Sequence, residues 1–172
     1  MGNSVVASDG MLRRIRKGII GLFWISEADR CLVGPATVID GDSIIVAGRS
    51  VRLHGIDAPE LDQTFVWRGR DILCGTMALA ALEALTAGIA LRCQPVDHDQ
   101  YGRIVAKCFS PAGIDLNRRM VSAGWALAYR RYSTDYVDAE NEARLARRGM
   151  WKGSFMNPWD WRRIKPRDSR RR

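Results

Sequence analysis

Val51-Arg52-Leu53-His54-Gly55-Ile56-Asp57-Ala58-Pro59-Glu60 decides how the rest of the chain is read. Val51, Leu53 and Gly55 alternate with Arg52 and His54, the period of a half-buried strand, and Ile56 ends the apolar run. Pro59 cannot continue a central strand, and it holds Ala58 extended. The chain therefore leaves a sheet and turns sharply. Two carboxylates, Asp57 and Glu60, stand at the exit, with the Arg52 guanidinium behind them. Alone, this decapeptide reads more readily as a surface turn with an Arg–Asp pair than as a site.

Two further stretches carry similar chemistry. Val38-Ile39-Asp40-Gly41-Asp42-Ser43-Ile44-Ile45-Val46 sets Asp-Gly-Asp between two β-rich runs, a hairpin or bulge signal that aims Asp42 out of a strand edge. Asp99-Gln100-Tyr101-Gly102-Arg103 is a turn between two apolar strands. The three motifs, in this order and spacing, resemble the staphylococcal-nuclease-like (thermonuclease) family from about Val38 to about Trp151. That resemblance implies a small closed barrel of the OB type. It also implies a calcium-dependent endonuclease that hydrolyses DNA and RNA with low sequence selectivity, leaving 3′-phosphates. Asp42, Asp57, the Ala58 carbonyl and, in part through water, Glu60 would surround calcium. Arg52, Glu60 and Arg103 would carry catalysis, and Tyr101 and Tyr129 would line the nucleotide pocket. Alanine stands at 58 where threonine is commoner, but a carbonyl serves there equally. Gln100 stands where a lysine often meets a phosphate.

The residue chemistry agrees with these roles. Aspartates and a backbone carbonyl are hard oxygen donors suited to calcium, and so small a set leaves room for waters and a phosphate oxygen. Arginines pair bidentately with phosphate and stabilise charge developing on it. Glu60 is the carboxylate left to activate or orient water. The alternative is a non-catalytic OB-fold module that binds single-stranded nucleic acid or a protein; the complete acidic and arginine set favours the enzyme.

The 172 residues predict one domain at 34–161, with basic flanks at 1–33 and 162–172. The net charge is +8, yet residues 34–161 hold equal numbers of acidic and basic side chains. The excess lies in Arg13–Lys17 and in 162–172, flanks that attract nucleic acid or an anionic membrane surface without selectivity. Arg13–Lys17 followed by apolar Gly18–Ile25 fits a secretory signal, a membrane-surface anchor or a lead-in helix. Export to a secreted or periplasmic location and peripheral membrane contact both stay open. No obligate protein partner is expected.

The predicted elements are mostly β: strands at 37–39, 43–47, 51–56, 89–96 and 103–109, with about three helices at 74–87, 115–123 and 137–148. Residues 61–71 read as a loop carrying Phe65 and Trp67 among arginines. Met77, Ala80, Ala81, Ala84 and Leu85 read as the apolar face of the first helix. Trp151, Phe155, Trp159 and Trp161 form an aromatic segment expected to pack back on the barrel. His54 and His98 have no ligand spacing, and without a C-x-x-C pair the cysteines do not suggest zinc. Cys93 and Cys108 are equidistant from the Gln100–Tyr101 turn, so an antiparallel hairpin would put them on one rung, where they could form a disulfide or remain two buried thiols.

Overall fold

The computed structural model describes residues 31–164. The basic N-terminal cluster, its apolar run and residues 165–172 lie outside the described residues. Among the described residues, no helix is long and apolar enough to cross a membrane.

Five strands close the barrel: β1 (Leu32–Val38), β2 (Ser43–Val46), β3 (Arg49–Leu53), β7 (Ala90–His98) and β8 (Ile104–Phe109), in the order β1-β2-β3-β8-β7. All neighbours are antiparallel except β3 and β8. Strand alternation fills the interior with Ile44, Val46, Val51, Leu53, Leu91, Cys93, Ile104, Ala106 and Cys108. The mostly-β, OB-like barrel expected from the sequence is the architecture observed.

Helix α1 (Cys74–Thr86) covers the barrel, α2 (Leu116–Ser122) packs on β8 and α1, and α3 (Val137–Leu145) packs on α2. The Asp115 carboxylate caps α2 by accepting from the Arg118 N–H. Two short strands, β4 (Ile56–Asp57) and β9 (Leu127–Ala128), pair outside the barrel.

Three expectations need correction. Residues 61–71 are not a loop. They form most of a hairpin, β5 (Thr64–Trp67) and β6 (Arg70–Leu73), which β10 (Ser154–Phe155) extends to three strands. Its turn uses Arg68 and Gly69, both at positive φ (51° and 73°). The buried face of α1 is Cys74, Gly75, Ala78, Leu82 and Thr86; of the expected face, Ala81 and Leu85 pack half-buried against the core, while Met77, Ala80 and Ala84 are exposed. The segment is apolar or small almost all round, so periodicity could not choose its inner face. A fourth helix, α4 (Pro158–Ile164), carries the aromatic segment onward and includes Arg162, which the sequence groups with the basic flank.

Cys93 faces Cys108 in register, and the two are joined as a disulfide inside the barrel. Near the turn the pairing is Asp97 with Val105 and His98 with Ile104. A bulge between Pro95 and Asp97 shifts it so that the cysteines share a rung.

Candidate active site

The site lies where β3 gives way to β4. Gly55, at φ +71°, turns the chain there, and a Cβ would come within 3.1 Å of Ser133 and Tyr136. Only glycine takes that turn without strain. The buried Asn117 amide braces it, donating to the His54 carbonyl (2.9 Å) and the Ala106 carbonyl (3.2 Å), while its oxygen accepts from the Cys108 N–H (3.1 Å). The turn delivers Asp57 into β4 with its side chain fully buried.

A buried carboxylate must be paired. Asp57 Oδ1 accepts from Arg52 Nη2 at 2.8 Å, and Oδ2 accepts from Arg162 Nη2 at 2.5 Å. Arg52 also reaches Asp42 Oδ1 at 3.1 Å. The other Asp42 oxygen accepts from the Ala58 N–H at 3.0 Å, so the β1–β2 loop is stitched to the β4 exit. Glu60 Oε1 accepts from Arg162 Nη1 at 2.9 Å. One guanidinium thus bridges the Asp57 and Glu60 carboxylates.

Gly41 explains the small residue between Asp40 and Asp42. A Cβ there would stand 2.6 Å from that of Ala58 and 2.8 Å from that of Ala78. Its value is close approach, because no positive φ is involved. Arg103 joins through Ser43: its Nη1 donates to the hydroxyl at 3.3 Å, and the hydroxyl donates to Asp42 Oδ1 at 3.1 Å. Asp99 steadies Arg103 by accepting from its Nε at 2.7 Å and its N–H at 3.0 Å, and from the Tyr101 N–H at 2.9 Å.

The electrostatics follow from burial. Burial raises the Asp57 carboxyl above its ordinary value and neighbouring Asp42 adds to this, while Arg162 and Arg52 pull it back. Burial, then Asp42, pushes Asp40 up to about 6. Burial works against the charged forms of Arg52 and Arg162. For Arg52, Asp42 and Asp57 more than compensate; for Arg162, Asp57 and Glu60 do, so both guanidinium groups are held charged.

The structure therefore brings together Arg52, Asp42, Asp57, Ala58 and Glu60, with Arg103 linked through Ser43. Tyr101 is exposed at the hairpin tip with the Arg103 guanidinium 5.8 Å from its ring centre. Tyr129 donates its N–H to the carbonyl of Gly55 at 2.9 Å, and its ring is stacked on Trp159 of α4 at 5.5 Å between centroids and 12° between planes. Of the histidines, His98 is exposed, and His54 is part-buried 4.0 Å from Asp135.

Sequence reasoning missed Asp40, Gln63 and Arg162. Asp40 accepts from the Asp42 N–H at 3.0 Å. Its position beside Gly41 was the available signal. Gln63 is fully buried and donates to the Met156 carbonyl at 2.7 Å, and nothing local marks it. Arg162 follows Trp159 and Trp161, apolar residues that belong to an ordered segment rather than a solvated tail.

Among the described residues, no group of three or more His, Cys, Asp or Glu side chains is preassembled to hold a metal. The donors present are nonetheless hard oxygens, and the Arg162 guanidinium stands against two of them as a cation would. On that chemistry the residues fit a calcium ion.

The family model described as "Staphylococcal nuclease homologue" matches residues 50–153. An "uncharacterized endonuclease" of Escherichia coli is 36% identical over 135 residues, covering 74% of this chain and 82% of that protein. A "micrococcal nuclease" of Shigella flexneri is 34% identical over 143 residues, covering 73% and 77%. "Succinoglycan biosynthesis protein ExoI" of Rhizobium meliloti (strain 1021) is 39% identical over 127 residues, covering 70% of this chain and 65% of that protein.

Proposed function

The chain belongs to the staphylococcal nuclease family, and from that premise we propose that it is a calcium-dependent phosphodiesterase. Its substrates are DNA and RNA, cut internally with little sequence selectivity to leave 3′-phosphates. The observation that carries this reading is a fully buried Asp57 paired with two arginines, beside Asp42 and Glu60. So many charges gathered from separate segments are costly for folding alone, since apolar residues would pack there at least as well. They suit a ligand that brings both a cation and a phosphate.

Asp42, Asp57 and the Ala58 carbonyl would hold calcium, with Glu60 joining through water. The bound ion supplies positive charge to a phosphate oxygen. Arg52 and Arg103 orient the scissile phosphate and stabilise the charge that develops on it. Each has a carboxylate that fixes its fork, Asp42 with Asp57 for Arg52 and Asp99 for Arg103. Glu60 takes a proton from the attacking water. Tyr101, exposed beside Arg103, offers a ring face to a base.

Digestion of DNA and RNA with calcium or with chelator tests the reading. The wild-type protein should cut both only with calcium. Asp42→Asn should lose calcium affinity by calorimetry together with cleavage. Arg52→Ala and Arg103→Lys should each lose about 10²–10³ in turnover, the lysine because an ammonium cannot replace a planar fork. Unchanged calcium affinity in Asp42→Asn would sink the ion assignment. Nucleic-acid binding without cleavage under either condition would leave only a binding module.

A further inference from the structure

Resting on the phosphodiesterase reading, we infer that Arg162 is a positioning residue of the reaction. Its guanidinium holds Glu60 so that one carboxylate oxygen is fixed and the other is left to direct the attacking water. Glu60 needs such a restraint. Its side chain is 42% exposed, and a glutamate in solvent samples many rotamers. Arg162 bonds Glu60 through Oε1, at 2.9 Å, and its second nitrogen is anchored at 2.5 Å on the buried Asp57. The planar fork therefore sets the position of Glu60 relative to a carboxylate that cannot move.

The arginine is itself held in place. Pro158 at the start of α4 is buried, and the Met156 carbonyl just before it accepts from buried Gln63. Trp159, one turn ahead of Arg162 on the same helix face, stacks on Tyr129. Gln63 Oε1 also accepts from the Glu60 N–H, at 3.3 Å. The Glu60 main chain and the helix that carries Arg162 are thus tied to one amide. An arginine serving only to neutralise surface charge would need none of this.

The test is a double-mutant cycle on a short single-stranded oligonucleotide, using Arg162→Gln, Glu60→Gln and the pair. Melting midpoints and calorimetric calcium affinities are measured on the same proteins. Arg162→Gln should lower kcat about 10²-fold with KM nearly unchanged, and Arg162→Lys should recover part of the loss. In the Glu60→Gln background, Arg162→Gln should change kcat by less than about threefold, because the group it positions has already lost its function. Calcium affinity should stay within about tenfold of wild type.

Additive losses would show that Arg162 acts independently of Glu60 and would overturn the inference. So would a rise in calcium affinity well beyond tenfold, which would make Arg162 a competitor of the ion. If Arg162→Gln melts below the assay temperature, Arg162→Lys carries the same cycle. A wild-type protein that shows no calcium-dependent cleavage overturns this inference and the phosphodiesterase reading together; one that cleaves while the losses add overturns this inference alone.

Discussion

Gly75→Ala sets two energies of opposite sign against each other. Gly75 is the second residue of α1, where alanine is the better helix former by about 0.5–1 kcal/mol. On propensity alone the substitution stabilises. The structure argues the reverse. A Cβ at Gly75 would lie 1.8 Å from the Glu60 carbonyl oxygen, 2.4 Å from its carbon and 2.6 Å from the Leu61 Cα. Ordinary contact begins near 3.4 Å, and the atoms met are backbone, which no rotamer change relieves. Either α1 or the turn after Pro59 must retreat by about 1.5 Å, and overpacking on that scale costs about 1–3 kcal/mol or more.

The retreat also strains two hydrogen bonds, from the Cys74 and Gly75 N–H groups to the Gln63 carbonyl at 2.9 and 3.4 Å. The net expectation is destabilisation by about 1–3 kcal/mol, a fall of roughly 2–12 °C in melting temperature for a domain of this size. Because the displaced backbone belongs to Glu60, turnover should fall about 10²-fold even where the protein is fully folded. Thermal melts and oligonucleotide turnover with saturating calcium, measured well below the midpoint, separate the two effects. A variant that melts at or above the wild-type temperature with normal turnover would refute the argument that this glycine exists for close approach.

Two shorter predictions follow. Burial works to raise the Asp99 carboxyl, but hydrogen bonds from the Arg103 side chain and the Arg103 and Tyr101 N–H groups hold it below its ordinary value. A carboxyl depressed in the folded state contributes stability above its unfolded value of about 3.9 and loses it as pH falls through the folded value. Asp99→Asn should therefore show a shallower loss of stability below about pH 4, together with reduced turnover as Arg103 loosens; acid-unfolding curves of identical shape would contradict this. For the cysteines, alkylation and unfolding without reductant, followed by mass spectrometry, should recover a Cys93–Cys108 crosslinked peptide. Reduction should cost roughly 3 kcal/mol in the chain-entropy model for their separation of 15 residues, and recovery of both residues alkylated would count against the bridge.

What could be read in the sequence was whatever local periodicity and turn chemistry determine. Ser43–Val46, Val51–Leu53 and Ile104–Phe109 alternate or run apolar between turn signals, so the barrel strands were recoverable. Asp42, Asp57 and Glu60 flank those strands at turns, and the structure gathers them. The hairpin at 64–73 was missed because its turn, Arg68–Gly69, lacks the usual Asn-Gly or Asp-Gly signature. Its third strand also comes from Ser154–Phe155, far along the chain. Arg162 was missed for a similar reason. A block of positive charge reads as tail, and contacts to Asp57 and Glu60, 105 and 102 residues away, distinguish its first member.

Gln63 shows why the C-terminal segment belongs to the site rather than merely lying beside it. Its amide is fully buried, and both of its ends are used. Oε1 accepts from the Glu60 N–H, Nε2 donates to the Met156 carbonyl, and its own carbonyl accepts from the Cys74 N–H and the Cys74 thiol. Cys74 can donate there because burial pushes its thiol up to about 11, so it stays protonated. One residue therefore joins the Glu60 turn, the start of α1 and the lead-in to α4. Were Met156 and α4 to leave, the Gln63 amide would lose a hydrogen bond, at a cost of about 0.5–1.5 kcal/mol. The Tyr129–Trp159 stack would add about 0.5–1.5 kcal/mol to that cost. Both penalties fall on the segment that brings Arg162 to Glu60. The forces that dock α4 on the barrel are thus the forces that hold the Glu60 carboxylate.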